Sequence, residues 1–179
     1  MARRRSRPAA ARPVRSLRPA LLLLLVVAGA ALALSAWLRP IDGDEGYYAA
    51  AAQLTADGAR PYADYFYPQA PLLPYVYAPV VAVAGPSLRA LRWLSVALAC
   101  GTVLVWASYL VRTRRGGSWT KVAALALLAC SPDVISWAVT VKTYALTGLL
   151  SSLGLVALAR GLESGAGRRW LVGAGAALG

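Results

Sequence analysis

The stretch ALLLLLVVAGAALALSAWL, Ala20 to Leu38, decides the fold class. It carries no charge and is long enough to cross the ~30 Å hydrocarbon core of a bilayer as a helix. Trp37, Arg39 and Pro40 close it as interface anchor and breaker. The run exceeds the apolar region of a signal peptide and further apolar runs follow, so it reads as an uncleaved first span. Upstream, Met1 to Pro19 holds seven arginines and several prolines and reads as a disordered cytoplasmic tail, residues 1–19.

Further spans follow along the chain. Trp93 to Val111 is the second apolar run. Val122 to Ala159 is too long for one helix, and Ser131-Pro132-Asp133 divides it into a hairpin of two rather short spans. Trp170 to Gly179 starts another helix and stops in mid-span, the pattern expected of the N-terminal part of a longer protein. The expectation is an all-α polytopic membrane protein, residues 20–179. It has about four complete transmembrane helices plus the start of a fifth.

Composition agrees. A hydrophobic fraction of 59% and a mean hydropathy of +0.55 exceed what a soluble domain of 179 residues needs. The net charge of +12 does not signal nucleic acid, because the basic residues sit in short clusters between apolar runs, as topology requires. There is no histidine, which removes histidine triads and histidine-ligated metals. Cys100 and Cys130 lie inside apolar runs without CxxC spacing and read as buried thiols.

Two basic clusters set the orientation: Arg112, Arg114, Arg115 and Lys121, then Arg160, Arg168 and Arg169. Placing both in the cytoplasm with the N-terminal tail puts the loop 39–92 and the Ser-Pro-Asp turn outside. Pro71 to Gly85 is apolar but short and holds Pro71, Pro74 and Pro79, so it reads as a helix at the outer membrane surface. Arg89 and Arg92 read as flank residues of the second span.

The loop itself is unusual. IDGDEGYYAAAAQLTADGARPYADYFYPQAP, Ile41 to Pro71, holds Asp42, Asp44, Glu45, Asp57 and Asp64, five of the seven acidic residues. Asp42-x-x-Glu45 has the form of a capping box, Glu45 to Asp57 has helical composition, and Gly58 is a natural stop. Tyr47, Tyr48, Ala51, Leu54 and Thr55 recur at helical spacing, giving a weakly amphipathic interfacial helix with an aromatic end. Capping alone accounts for the Asp-Glu pair, and a turn alone accounts for Asp64. Lys142 sits near the outer start of the fourth span, where a lysine either snorkels or serves a ligand. Gly173-Ala-Gly175 imitates a nucleotide loop but follows no strand, so close helix packing is the better reading.

The order of motifs adds to this. After the first span come DE-x-x-Y (Asp44, Glu45, Tyr48), G-x-x-P-Y-x-D (Gly58, Pro61, Tyr62, Asp64), Pro71-Leu72 and Gly85. Leu88-Arg89-x-x-Arg92-Trp93-x-Ser95 completes the series. The series resembles the start of the GT-C glycosyltransferases that use polyprenyl-phosphate sugars, such as protein O-mannosyltransferases and lipid A aminoarabinose transferases. The resemblance covers roughly Arg18 to Arg160. It implies an inverting transferase on the extracytoplasmic face of the plasma membrane. The donor would be a polyprenyl-phosphate sugar and the acceptor an envelope glycan, lipid or protein. Asp44 would be the catalytic base, with Glu45 orienting Asp44 or the acceptor. Arg60, Tyr62, Asp64 and Lys142 would contact substrate. No organic cofactor is implied, and a divalent metal is left open. The rival readings are a transporter or flippase of lipid-linked saccharides and an inactive truncated product. Against transport, the acids cluster in a loop rather than within spans.

Cysteines introduced at Ser6, Gly117 and Gly165 are expected to resist a membrane-impermeant thiol reagent in intact cells, while one at Gly58 reacts. Labelling at Gly117 from outside would overturn the orientation.

Overall fold

A computed structural model describes residues 18–113, 116–164 and 168–178. The tail 1–17 and the basic residues Arg114 and Arg115 lie outside the described residues. Among the described residues eight helices follow in order: α1 Arg18–Leu38, α2 Gly43–Ala56, α3 Leu72–Ala84, α4 Leu88–Arg112, α5 Ser118–Ala129, α6 Pro132–Trp137, α7 Thr143–Ser164 and α8 Arg168–Leu178. Among the described residues there are no strands, only one isolated bridge between Pro61 and Tyr65.

Three helices are long and apolar enough to cross a membrane: Pro19–Leu38, Leu88–Arg112 and Thr143–Leu162. α4 begins five residues before the expected Trp93, because Ser87 caps it by accepting a hydrogen bond from the Ala90 N–H. α3 has 13 residues, and at ~1.5 Å per residue it falls short of a bilayer core. Pro79 inside it has no N–H to donate, and Gly85, at φ 72°, ends it in a conformation that other residues avoid.

The expected third span differs from the sequence reading. α5 is a 12-residue helix, ~18 Å long, and stops where Ser131 takes an extended conformation before Pro132. The chain does not turn back at Ser-Pro-Asp. It continues through α6 and an irregular stretch, Ala138 to Lys142, before α7 begins. Cross-contacts show the direction of each crossing. Ser95 of α4 lies beside Thr140, Thr102 beside Gly148, and Trp106 donates to Ser152 Oγ at 2.9 Å. Hence α4 and α7 run parallel, and α5 with α6 carries the chain back along the length of α4 in two pieces.

Packing is by small side chains, as between membrane helices. Leu21 and Ala28 of α1 meet Val103 and Ala107 of α4 and Leu125 and Ala129 of α5. Toward the other end, Leu32 and Ala36 meet Val96, Ala99 and Val139. α2 lays Tyr48, Ala51 and Ala52 against Leu73, Tyr77 and Val81 of α3. Tyr47 and Leu54, expected on that face, remain exposed. α8 folds back on α7, but Gly173 and Gly175 face open space. The close approach comes instead from Gly154 and Gly161 of α7, against Leu178 and Trp170. Cys130 is exposed rather than buried.

One buried polar relay ties three segments. The only proton of Ser95 goes to the Thr140 carbonyl at 3.0 Å, so the Tyr77 hydroxyl, 2.8 Å away, donates to Ser95 Oγ. Ser95→Ala leaves both neighbours unpaired and is expected to cost about 1–3 kcal/mol, more than Tyr77→Phe, which removes one donor and vacates one acceptor. Unfolding titrations in detergent micelles measure the difference, and equal effects would contradict the relay.

Candidate active site

α2 places the acids. The Asp42 side chain accepts a hydrogen bond from the Asp44 N–H at 3.1 Å, and Glu45 Oε2 accepts one from the Asp42 N–H at 3.1 Å, completing the capping box. At the other end the Gly58 N–H donates to the Thr55 carbonyl and the Ala59 N–H to the Leu54 carbonyl. Gly58 is at φ 93°, and together these make a Schellman stop. The helix is thus set by its own sequence at both ends, and it points Asp44 and Glu45 in different directions.

Glu45 goes inward and is fully buried. Its Oε1 accepts from Arg92 Nε at 2.9 Å and from the Val141 N–H at 3.0 Å. Its Oε2 accepts from Arg92 Nη2 at 2.5 Å as well as from Asp42. All four acceptor positions are filled. Arg92 is equally saturated: Nη1 donates to the carbonyls of Ala36 and Arg39, and Nη2 also donates to Pro40, so its five N–H donors all have partners. Burial alone would raise the Glu45 carboxyl, but hydrogen bonds from Arg92, Val141 and Asp42 outweigh it and hold it below the ordinary range. A carboxylate so enclosed has no acceptor position left for a ligand. Of the two tasks expected of Glu45, the geometry fits orienting Asp44, not touching an acceptor. Arg92 is the clear miss of the sequence reading, which took it for a flank residue. Its place just before the apolar run from Trp93 hid the need for a partner, which arises because α4 starts earlier, at Leu88.

Asp44 goes outward, its side chain 72% exposed, and meets Lys142. The buried Lys142 Nζ lies 2.9 Å from Asp44 Oδ2 and 2.9 Å from Asp42 Oδ1, bridging the two carboxylates. Burial would lower this ammonium, but its bonds to Asp44 and Asp42 raise it overall, so it stays charged. The same bond from Lys142, with the Asp44 N–H, holds the Asp42 carboxyl below its usual value. Lys142 Nζ also sits 5.4 Å from the Trp137 ring, which Tyr144 meets edge-on at 5.8 Å. Trp137 and Tyr144 line a cavity of about 560 Å³ between α4, α5, α6 and α7, otherwise walled mainly by Ala99, Val103, Leu128 and Val134.

Arg60, Tyr62 and Asp64 are not brought to this centre. Arg60 Nε pairs with Asp64 Oδ2 at 3.3 Å, and the Arg60 N–H donates to the same oxygen at 2.7 Å, both side chains exposed. This is the turn reading of Asp64. Tyr62 stands at φ 68° with its hydroxyl on the Gln69 carbonyl. It reaches the site only indirectly, through Tyr67 and then Tyr48, whose hydroxyl feels the Asp44 charge. Among the described residues no cluster of three carboxylate or thiol side chains could hold a metal ion.

A family profile described as dolichyl-phosphate-mannose-protein mannosyltransferase matches residues 68–179. The chain belongs to that family. Membership implies a membrane glycosyltransferase of the GT-C type, as the motif order suggested. The matched segment holds Arg92 and Lys142, while Asp44 and Glu45 lie ahead of it. No curated protein and no solved structure matches the chain.

Glu45→Gln and Arg92→Gln are each expected to destabilise the protein by about 3–5 kcal/mol, since either strands a buried partner. A Glu45→Leu/Arg92→Met double variant should recover only the part due to the stranded charge, since the Val141 N–H and the Arg39 and Pro40 carbonyls still lose their partners. Because the folded carboxyl lies lower than its ordinary value of 4.5, the pair's contribution is complete above that pH and fades as pH falls through the lowered value. Unfolding midpoints measured at neutral and acid pH check both points, and a neutral-pH midpoint unmoved by either single substitution would refute the assignment.

Proposed function

We propose that the protein transfers a sugar from a polyprenyl-phosphate donor to a hydroxyl of an envelope glycan, lipid or protein. The reaction would take place on the extracytoplasmic face of the plasma membrane. The observation that supports this most is the exposed Asp44 carboxylate, held against a buried lysine beside the mouth of an apolar cavity. An amphiphilic donor needs those two surroundings side by side: a charged station for its sugar phosphate and an apolar recess for its isoprenoid chain.

The chemistry follows from the groups present. Asp44 takes the proton of the acceptor hydroxyl as its oxygen forms a bond to the anomeric carbon. The bond from that carbon to the phosphate oxygen breaks, and the electron pair leaves with the polyprenyl phosphate. Attack from the face opposite the phosphate inverts the anomeric configuration. The leaving group is stable as an anion, so no strong general acid is required. Lys142 would balance charge on the departing phosphate, with Asp42 keeping the ammonium in place. Glu45 and Arg92 fix the first turn of α2 and so the direction of Asp44.

Asp44→Asn preserves size and leaves the Asp42 cap untouched, so insertion and folding should persist. Transfer from a polyprenyl-phosphate sugar should fall about a hundred- to ten-thousand-fold, the contribution of a general base. Asp57→Asn, at the opposite end of α2, should stay near the parent rate. Undiminished transfer by the Asp44 variant would reduce that residue to a structural role.

A further inference from the structure

We propose that the recess at the junction of α1 and α4 binds the phosphodiester headgroup of an anionic phospholipid. The recess, about 420 Å³, is bounded by Ala36 and Trp37 at the end of α1, Arg39, Ser87, and Arg89 and Arg92 at the start of α4. Two membrane-length helices terminate there, so it sits at the level where hydrocarbon gives way to headgroups. No carboxylate lines it, nor does Asp42, Asp44 or Lys142; it shares with the candidate active site only the saturated Arg92 and the Arg39 contact to Trp137.

Its charge is compensated only in part. Arg92 is neutralised by Glu45 and has no free donor. Arg39 and Arg89, by contrast, form no ion pair among the described residues. Each is held by an indole instead, Arg89 4.2 Å over Trp37 and Arg39 4.8 Å over Trp137. Stacking occupies the face of a guanidinium and leaves its edge donors free. Arg39 donates one N–H to the Ser136 carbonyl. Two pre-positioned forks with free edges suit the oxygens of a phosphate. The positive end of α4 adds to the attraction. Exposed Trp37 and Ile41 at the rim offer apolar surface that acyl chains would cover and a dissolved anion would not use.

Native mass spectrometry of the delipidated protein in detergent, with phosphatidylglycerol or phosphatidylcholine added, tests this. The expected result is retention of phosphatidylglycerol over phosphatidylcholine by about tenfold or more, the scale of one charge-assisted hydrogen bond. The preference should vanish in Arg39→Gln/Arg89→Gln and weaken in Arg89→Gln alone, which removes no hydrogen bond from the fold. It should survive in Lys142→Gln. An undiminished preference for phosphatidylglycerol in the arginine variants would overturn the proposal. So would loss of the preference in Lys142→Gln or one-for-one displacement by polyprenyl phosphate, since either would put the bound lipid at the donor position. Displacement by millimolar inorganic phosphate would make the recess a free-anion site and also count against it.

Discussion

The buried Glu45–Arg92 pair organises the end of the bundle where α1 stops and α4 starts. Neither group would survive alone among apolar helices, because an unpaired charge there costs several kcal/mol. The pair is tolerated because every lone pair and every N–H has a partner. Those partners come from four places: the end of α1, the first turn of α2, the start of α4 and the irregular approach to α7. One carboxylate thereby helps fix the distance between these four segments, together with the Ser95–Thr140 and Lys142–Asp44 contacts. Asp44 owes its direction to this, since it is the neighbour of a residue that cannot move.

The membrane imposes the second constraint. A chain that descends through α4 and must descend again through α7 has to climb back between them. Here the climb is made by a short helix, a proline break, a second shorter helix and an irregular segment. Irregular backbone at such depth is acceptable only where protein covers it. Val139, Thr140 and Val141 are completely buried, and the Thr140 carbonyl and Val141 N–H find side-chain partners. The interruption also leaves the cavity beside Trp137, which a continuous helix would tend to fill.

How much of this was legible in the sequence depends on range. The capping box, the glycine stop after α2, the proline break before α6 and the first span are local patterns, read from residues a few positions apart, and they appear as expected. The Arg60–Asp64 turn was among the local alternatives too. Arg92 with Glu45 and Lys142 with Asp44 are separated by 47 and 98 positions, and no periodicity links them. Lys142 was noticed because a lysine at a span end is conspicuous. Arg92 was passed over because an arginine near a span end has an ordinary explanation in topology. α5 ends at the expected Ser-Pro-Asp break, but its 12 residues are too few for the span expected there, and no local pattern shows that the chain runs on through α6 instead of forming a hairpin.

The separation between Glu45 and Val141 also orders the assembly of the site in time. A chain made from its N-terminus releases α2 and its capping box first, with Glu45 holding only the Asp42 N–H. Arg92 arrives next and neutralises it once the second span is in place. The last acceptor position stays open to water until residue 141 has emerged, and Lys142 follows one residue later. This end of the bundle therefore closes only when the return segment has been completed, so the Asp44–Lys142 pairing does not exist in any shorter nascent chain.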